Sequence, residues 1–368
     1  MGFRRNPSEI VDIRAEPFNA PLHEPFTIAT GSKSEARNVL VRIKLRSGVM
    51  GYGEGAGSAA AGRADQDLEL RRVRAAGRSL LGKDTRSWRR LLEVIEEEIE
   101  PRWGFLRAAL GMAMLDALTR QCRIPLRVLF GGVESLVSSD VTVTIVPPSK
   151  AALDARRIAA MGVKTIKIKV GTDLEDDLGR VVSVRAAAPR AKLFLDANQG
   201  YSPRQAITLV RNLRLRGIEP MFFEQPVAKD DFPGLAAVAR FARIPVVADE
   251  SVQEPGDVPR LARLKAAQIV NIKLMKRGLL AAYDAAVCAR SLGLGLMMGG
   301  MVESCLAMGC AAHFAAGLGS FKIVDLDTPL WFRRSLTKGL SLGPGGIYDL
   351  SKVVAGIGVV PRGHRSTT

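Results

Sequence analysis

Hydrophobic and polar positions follow two different patterns along the chain, and the first pattern occupies its first third. Residues 9–55 hold apolar positions that partly alternate with polar ones, and a Ser-Gly pair at 47–48 predicts a hairpin turn. From 65 to 129, apolar residues recur at helical spacing, and 107–122 is rich in Ala, Leu and Met, as in a buried helix. The first third is therefore predicted to be an α+β unit.

The second pattern begins after about residue 138, where short apolar runs are each followed by a helical stretch. Eight runs are predicted to be strands: 141–145, 165–170, 192–196, 221–224, 246–249, 269–273, 295–298 and 321–325. Strands that alternate with helices predict a parallel sheet, and eight strand–helix units predict a closed barrel.

Together the patterns predict the fold class and the division of the chain. We expect an α/β protein, a TIM-type (β/α)7-8 barrel over residues 131–332 with an N-terminal α+β capping domain over 1–130. The last segment, 333–368, is rich in Gly and Pro and is expected to fold back onto the capping domain.

Composition adds one question, which is the charge. Of 368 residues, 24% are charged, as in ordinary globular proteins, but 53 Lys and Arg against 37 Asp and Glu give a net charge of +16. A nucleic-acid-binding role is one reading of this excess. We expect no nucleic-acid partner, because the basic residues are dispersed and aromatic residues are only 5%.

The location of the protein is predicted from features that the sequence lacks. No apolar run is long enough to span a membrane and the N-terminus does not resemble a signal peptide, so no membrane association is expected. Four irregularly spaced cysteines do not suggest a disulfide framework. We therefore expect a reduced, cytoplasmic protein, and we expect a homo-oligomer.

Charged residues follow the predicted strands where those strands end. They are Lys167, Lys169, Asp196, Glu224, Asp249 and Lys273. From Lys169 onward the successive spacings are 27, 28, 25 and 24 residues, each about one strand–helix unit, so these ends are expected to face one shared mouth. A lone strand-ending Asp is more often a helix cap, and a lone Lys is more often solvated. The ordered, equally spaced set instead indicates a functional site.

The order of charges in this set predicts a chemistry. Three neighbouring carboxylates, Asp196, Glu224 and Asp249, would repel one another unless a divalent cation lies between them. All-oxygen ligation favours Mg²⁺, with Mn²⁺ as the alternative. Lys169 and Lys273 flank them as two opposed bases, and we expect burial and neighbouring cations, including the metal, to lower their pKa. Two bases around one carbon acid predict a 1,1-proton transfer.

These residues and their surroundings resemble the enolase superfamily, in its muconate-lactonizing subgroup with paired lysines. The matching segments are Lys-Ile-Lys at 167–169, Asp-Ala-Asn-Gln-Gly at 196–200, Glu-Gln-Pro at 224–226, Asp-Glu-Ser at 249–251 and Asn-Ile-Lys-Leu-Met-Lys at 271–276. The resemblance extends over nearly the whole chain. It implies Mg²⁺ at the three carboxylates, with Lys169 and Lys273 exchanging an α-proton through an enediolate.

Within this subgroup, the chain resembles the dipeptide epimerases. An Asp-x-Asp pair at the eighth strand, Asp325 and Asp327, is similar to the pair that holds the α-ammonium of a dipeptide in that family. The resemblance further implies substrate contacts by Lys167, at the carboxylate, and by Thr142. It also implies contacts from the seventh-strand loop, at Gly300 and Val302.

Substrate side chains are expected to meet the loop near residues 23–32, where Phe26, Ile28 and Gly31 are the candidate specificity positions. L-Ala-D/L-Glu epimerases carry an Arg at the position matched by Gly31, so strict Ala-Glu specificity is not expected. Lys33 would suit an anionic side chain, and Glu24 or Glu54 a cationic one.

Other reactions of the same superfamily stay open at this point. They are o-succinylbenzoate synthesis, N-acylamino acid racemisation and muconate cycloisomerisation, whose substrates lack a free ammonium. The leading hypothesis is epimerisation of L-Ala-Xaa dipeptides at the second α-carbon.

Overall fold

A computed structural model of the chain describes residues 6–57 and 65–363. Its first sheet is antiparallel in the order β1 (Ile10–Ile28), β2 (Gly31–Leu45) and β3 (Met50–Gly55). The turn between β1 and β2 forms the tip of a long hairpin, and Gly48, at φ +93°, allows the tight turn into β3.

Four helices follow this sheet: α1 (Gln66–Arg78), α2 (Trp88–Glu98), α3 (Gly104–Gln121) and α4 (Leu126–Leu129). The third is buried along almost its whole length, as its Ala, Leu and Met content predicts. It lies against the glycines of β3, where a Cβ at Gly53 would come within 2.0 Å of the Ala109 carbonyl oxygen. Alternate glycines therefore allow the helix backbone to contact the sheet.

The second sheet is the predicted barrel. Its strands are β5 (Val141–Val143), β6 (Thr165–Lys169), β7 (Lys192–Asp196), β8 (Phe223–Glu224), β9 (Val246–Ala248), β10 (Ile269–Ile272), β11 (Gly295–Met298) and β12 (Phe321–Val324). They are parallel and lie side by side in chain order, and the Asp140 N–H donates to the Val324 carbonyl (2.9 Å) to join the last strand to the first. The fold class is confirmed.

The barrel helices lie between successive strands: α5 (Pro148–Ala160), α6 (Leu174–Ala187), α7 (Pro203–Arg214), α8 (Phe232–Phe241), α9 (Asp257–Leu264), α10 (Leu274–Arg277), α11 (Leu279–Ser291) and α12 (Cys305–Leu318). Most of the strands are shorter than predicted by one or two residues. The residues cut off, including Asp249 and Lys273, lie where a strand has just ended and its chain turns into the mouth.

Inside the barrel, apolar side chains from five strands fill the space below the mouth. They are Phe194, Val247, Ile269, Met297 and Ile323, all buried. The barrel is thus a packed core whose charged residues are confined to its C-terminal end.

The last part of the chain contacts both units. Strand β4 (Leu136–Ser138) pairs with β14 (Ile347–Asp349), and β13 (Thr337–Gly339) pairs with β15 (Val359–Pro361). Asp116 of α3 accepts a hydrogen bond from the Ile357 N–H (2.8 Å), while the Tyr348 hydroxyl donates to the Leu326 carbonyl of the barrel (2.7 Å). No helix among the described residues has the length and apolar character needed to cross a membrane.

Candidate active site

A cavity of about 270 Å³ lies at the mouth of the barrel, beneath the β1–β2 hairpin. Most of the predicted site residues line it: Phe26, Ile28, Thr142, Lys167, Lys169, Asp249, Lys273, Gly300, Val302, Asp325 and Asp327. Asp196 and Glu224 are not on its lining and lie fully buried among the lysines. The predicted set therefore comes together around one space.

A larger cavity, of about 1190 Å³, lies elsewhere, between the end of α3 and the C-terminal segment. Its walls are mostly apolar, with Leu340, Ile347 and Val354 among them, and none of the strand-end charges reaches it. Size therefore does not identify the site here, whereas the grouping of charges does.

Lys167 is the centre of the buried charges. Its Nζ lies 2.8 Å from Asp196, 2.7 Å from Glu224 and 2.6 Å from Asp325. Burial would lower the pKa of Lys167, but these carboxylates outweigh burial and raise it well above its ordinary value. Lys167 is thus a permanent cation that joins the carboxylates of three strands.

The two candidate bases stand on opposite sides of the barrel. Lys169 ends β6 and Lys273 follows β10. In the closed ring of eight strands, β10 lies four strands from β6 in either direction. The Lys169 Nζ donates to Asp196 (2.6 Å) and to Asn198 (3.0 Å), and the Lys273 Nζ lies 2.7 Å from Asp249. Each lysine therefore has a carboxylate partner that orients its amine.

The expected fall in lysine pKa, which included the charge of the metal, stays a prediction for Lys273. Burial acts in the expected direction, but Asp249 and Glu224 outweigh it, and the pKa of Lys273 is raised above its ordinary value. Among the protein's own groups the carboxylates set this direction, and a bound divalent cation would oppose it. Lys273 is an ammonium in this state and is therefore a proton donor.

The three carboxylates expected to hold a metal lie at adjacent strand ends. Burial would raise the pKa of Asp196, but Lys167 and Lys169 outweigh it and keep the pKa below its ordinary value. Burial and the charge of Asp196 raise the pKa of Glu224 to about 8. A divalent cation beside Glu224 would oppose that rise.

The fit of these residues to a metal rests on their donor atoms. Glu224 Oε2 and Asp249 Oδ1 each have an ion-pair contact with a lysine, yet neither accepts a hydrogen bond from the described residues. Across residues 6–57 and 65–363, no group of three potential ligands is already drawn together as around a metal, since ammonium groups lie between the carboxylates. The donor set suits Mg²⁺, provided that the lysine contacts rearrange.

Several neighbours were quoted in the sequence motifs without a role. The Lys276 Nζ lies 2.8 Å from Asp249 and donates to the Asp249 carbonyl (2.6 Å). Asn271 donates to Glu224 (2.5 Å), and Asn198 donates to Glu250 (3.2 Å). Lys276 lies three residues after Lys273 on a helical turn, and this spacing is the signal that would have identified it.

The Asp325 and Asp327 pair has two different environments. Asp325 is the carboxylate held by Lys167, and Asp327 accepts a hydrogen bond from the Thr142 N–H (2.7 Å) through Oδ2. Asp327 Oδ1 is buried without a hydrogen-bond partner among the described residues. Burial and the neighbouring Asp325 raise the pKa of Asp327 to about 6. Asp327 thus keeps one oxygen open for a cation.

Backbone groups of the seventh-strand loop are already bonded within the protein. Asn38 donates to the Val302 carbonyl (3.0 Å), and the Met301 N–H donates to Glu303 (2.5 Å). A Cβ at Gly300 would lie 2.5 Å from Met308 Cε, so a larger residue here would require the Met308 side chain to shift. The loop is therefore held rigidly at the cavity edge.

The hairpin supplies the apolar side of the cavity. Phe26 packs edge-on against Trp331, with ring centroids 4.9 Å apart, and Ile28 lies beside it on the lining. Gly31 occupies the turn, paired with Ile28, and does not line the cavity; Thr30 and Lys33 do. Because of the hairpin register, the candidate substrate contacts at this turn are Thr30 and Lys33, and not Gly31.

The two acidic residues considered for a cationic side chain point elsewhere. Glu54 is buried and accepts hydrogen bonds from Asn38 (2.7 Å) and from the Ser304 hydroxyl (2.5 Å). Glu24 contacts His23 (3.2 Å) and Lys150 (3.3 Å) and is not on the lining. Neither residue gives the cavity a negative wall.

Comparison with known proteins agrees with this geometry. Residues 10–131 match the mandelate racemase / muconate lactonizing enzyme N-terminal domain, and residues 150–365 match the enolase C-terminal domain-like family. The chain is 41% identical over 354 residues to an aromatic dipeptide epimerase from Herpetosiphon aurantiacus, covering 96% of this chain and 99% of that protein.

Solved structures are similar over the same extent. A mandelate racemase/muconate lactonizing protein from Herpetosiphon aurantiacus aligns with a TM-score of 0.92 at 41% identity, covering 97% of this chain and 99% of that one. A dipeptide epimerase from Enterococcus faecalis V583, complexed with Mg and the dipeptide L-Leu-L-Tyr, aligns with a TM-score of 0.90 at 30% identity, covering 95% and 99%.

Proposed function

Because the chain belongs to the mandelate racemase / muconate lactonizing enzyme family, we propose that it is an isomerase that epimerises dipeptides at the α-carbon of the C-terminal residue. The observation that carries the proposal is the placement of Lys169 and Lys273. They face one cavity from strands four positions apart, and Asp327, which has a buried oxygen without a hydrogen-bond partner among the described residues, lines the same cavity. Relatives at 41% and 30% identity that are named dipeptide epimerases support it.

The proton transfer follows from the opposed lysines. One amine removes the α-proton from one face of the carbon, and the ammonium on the other side delivers a proton to the opposite face, which inverts the centre. In one direction Lys169 is the base and the Lys273 ammonium is the proton donor. The roles exchange in the reverse direction.

Positive charge around the substrate's carboxylate lowers the cost of the dianionic enediolate. Asp196, Glu224 and Asp249 would hold Mg²⁺, or Mn²⁺ in its place, and the bound ion would supply Lewis-acid stabilisation of the carboxylate oxygens. Lys167, buried and fixed by its ion pairs, adds a positive charge on the same side.

The other end of the dipeptide is the free ammonium. Asp327 lines the cavity beside Asp325, and its buried Oδ1 has no hydrogen-bond partner among the described residues. A buried carboxylate oxygen without a donor is a site for a cation, since charge-assisted hydrogen bonds are the strong ones. Thr142 fixes the orientation of Asp327 through its backbone N–H.

The cavity walls favour a substrate with an apolar side chain. Phe26 and Ile28 form an apolar wall, and Met275 and Phe105 extend it. Strict Ala-Glu specificity is not part of the proposal, since Gly31 offers no guanidinium. Lys33 is a cation on the same lining, and its Nζ already donates to the Gly57 carbonyl (2.8 Å).

A panel of dipeptides in deuterated buffer tests the function. Purified protein with Mg²⁺ is incubated with L-Ala-L-Xaa dipeptides, and mass spectrometry together with chiral analysis follows deuterium at the second α-carbon. We expect deuterium uptake with inversion. The panel also contains N-acylamino acids and the precursors of o-succinylbenzoate and muconolactone, and turnover of these alone would replace the proposal with the alternative reactions.

We also propose a cytoplasmic location, because Cys122, Cys288, Cys305 and Cys310 are all free. The capping domain at 1–130, the barrel at 131–332 and a homo-oligomeric state belong to the same proposal. Limited proteolysis and light scattering test the division and the assembly.

A further inference from the structure

Asp140 is a buried acid beside the site that the proposed reaction does not use. It precedes β5, is 3% exposed, and is absent from the cavity lining. Neither of its carboxylate oxygens accepts a hydrogen bond from the described residues. Its side chain lies within hydrogen-bonding reach of Asp325, with Asp327 and Lys167 close enough to act on its charge.

The backbone holds this acid in place. The Asp140 N–H donates to the Val324 carbonyl (2.9 Å), and the Ser139 hydroxyl donates to the Asp140 carbonyl (2.8 Å) while it accepts from the Leu326 N–H (2.8 Å). The start of β5 and the end of β12 are therefore joined on both sides of the two acids. These bonds fix Asp140 and Asp325 side by side where the barrel closes.

Two carboxyl groups in contact attract each other only when one of them holds a proton. Two ionised groups would repel, and a buried ionised carboxylate without a partner is strongly unfavourable. Lys167 lies 2.6 Å from Asp325 and keeps that group ionised, so the proton belongs to Asp140. The direction of the pKa changes agrees: burial and the charge of Asp325 raise the pKa of Asp140 well above its ordinary value.

We propose that Asp140 is a positioning residue whose neutral carboxyl donates a hydrogen bond to Asp325 and fixes that carboxylate between Lys167 and the substrate's ammonium. The proposal rests on the proposed function, in which Asp325 and Asp327 bind the ammonium. It assigns a separate role to each member of the acidic group: Asp140 holds the proton, Asp325 is paired with Lys167, and Asp327 keeps an open oxygen.

The test compares Asp140→Asn with Asp140→Ala in the Mg²⁺-loaded protein. Asparagine keeps a hydrogen-bond donor of the same size, so its KM for the best dipeptide should stay within about twofold of wild type. Alanine removes the donor, and KM should rise by about tenfold, because hydrogen bonds to charged groups have about that effect on binding. In both variants kcat should change by less than about threefold, since Asp140 touches no reacting atom.

Two kinetic outcomes overturn the proposal. An Asn variant with the same KM increase as the Ala variant would mean that the ionised carboxylate, and not the proton, is needed. An Ala variant with unchanged KM would mean that Asp140 does not position Asp325.

Infrared difference spectroscopy at pH 7 keeps the proposal testable if the Ala variant does not fold. Wild type minus Asp140→Asn should show the carbonyl band of a protonated carboxyl group, and its absence overturns the proposal. This measurement needs no substrate. A wild-type protein that shows the band but processes no dipeptide would contradict the proposed function and leave the protonation of Asp140 established.

Discussion

The floor and the roof of the cavity are built in different ways. On the floor, at the barrel mouth, each charged side chain is fixed by another: Lys167 by Asp196, Glu224 and Asp325, and Lys273 by Asp249. The roof, formed by the β1–β2 hairpin, contributes the apolar side chains of Phe26 and Ile28 together with Thr30 and Lys33. The comparison indicates that the floor carries the reaction, where small displacements matter, while the roof adjusts which side chains fit.

The strongest test of the floor is removal of a base. Lys169→Ala and Lys273→Ala should each lower the rate of epimerisation by about 10⁴-fold, the upper end of general acid–base effects, because inversion needs both groups. Each variant should retain α-proton exchange with one epimer only, since the remaining lysine faces one side of the carbon. Deuterium uptake measured separately with the two epimers checks this.

Lys352→Ala is the matched control for this test, since its side chain is 83% exposed and pairs with Asp349 at the surface. It should leave the rate unchanged. Inversion at the wild-type rate in either base variant would refute the two-base scheme.

Metal removal should have the next largest effect. A chelator should lower the rate by roughly 10³-fold, as expected when several kcal/mol of Lewis-acid stabilisation is lost. Added Mg²⁺ should restore the rate and raise the thermal unfolding midpoint, because a ligand that binds only the folded state stabilises it.

Glu224→Gln distinguishes a loss of metal binding from a loss of folding. It replaces a carboxylate by an isosteric amide, so Mg²⁺ should no longer raise the unfolding midpoint although the variant remains folded. A chelated wild-type enzyme with full activity would show that the three carboxylates have another purpose.

The floor could be predicted from sequence further than the roof. Charges at a 24–28-residue period identify strand ends, and parallel strands bring such ends together whatever the helices between them are. The pKa of Lys273 could not be predicted, because it depends on the distance between the Lys273 amine and the Asp249 carboxylate. The spacing of residues along the sequence does not give that distance. On the roof, Gly31 differs from the expectation because the turn position depends on hairpin register, and the register shifts between Pro21 and Phe26.

A smaller effect is expected where floor and substrate ammonium meet. Asp327→Asn should raise KM for dipeptides by roughly tenfold or more through loss of one charged partner, with a smaller change in kcat. Wild-type KM should also rise as the pH falls through about 6, since burial and Asp325 raise the pKa of Asp327 to about 6 and only the ionised form attracts an ammonium.

The rise of KM at low pH should be absent or weaker in Asp327→Asn, because the titrating group is gone. Asp349→Asn provides the control, as Asp349 is a surface carboxylate paired with Lys352. A variant at Asp327 with wild-type KM at pH 7 would place the ammonium elsewhere and favour substrates that lack one.

The smallest effect is expected on the roof, and it concerns preference and not rate. Phe26→Ala and Ile28→Ala should each lower kcat/KM for L-Ala-L-Phe relative to L-Ala-L-Ala by at least roughly 10-fold, since one methylene in an apolar pocket has about that effect and each change removes several carbon atoms from the wall. The rate with L-Ala-L-Ala should stay near wild type, because the floor is untouched. Val11→Ala, on the same strand but 37% exposed, is the control and should leave the ratio unchanged. Equal losses with both dipeptides would mean that the hairpin shapes the reacting geometry, and the division between a catalytic floor and a selective roof would then fail.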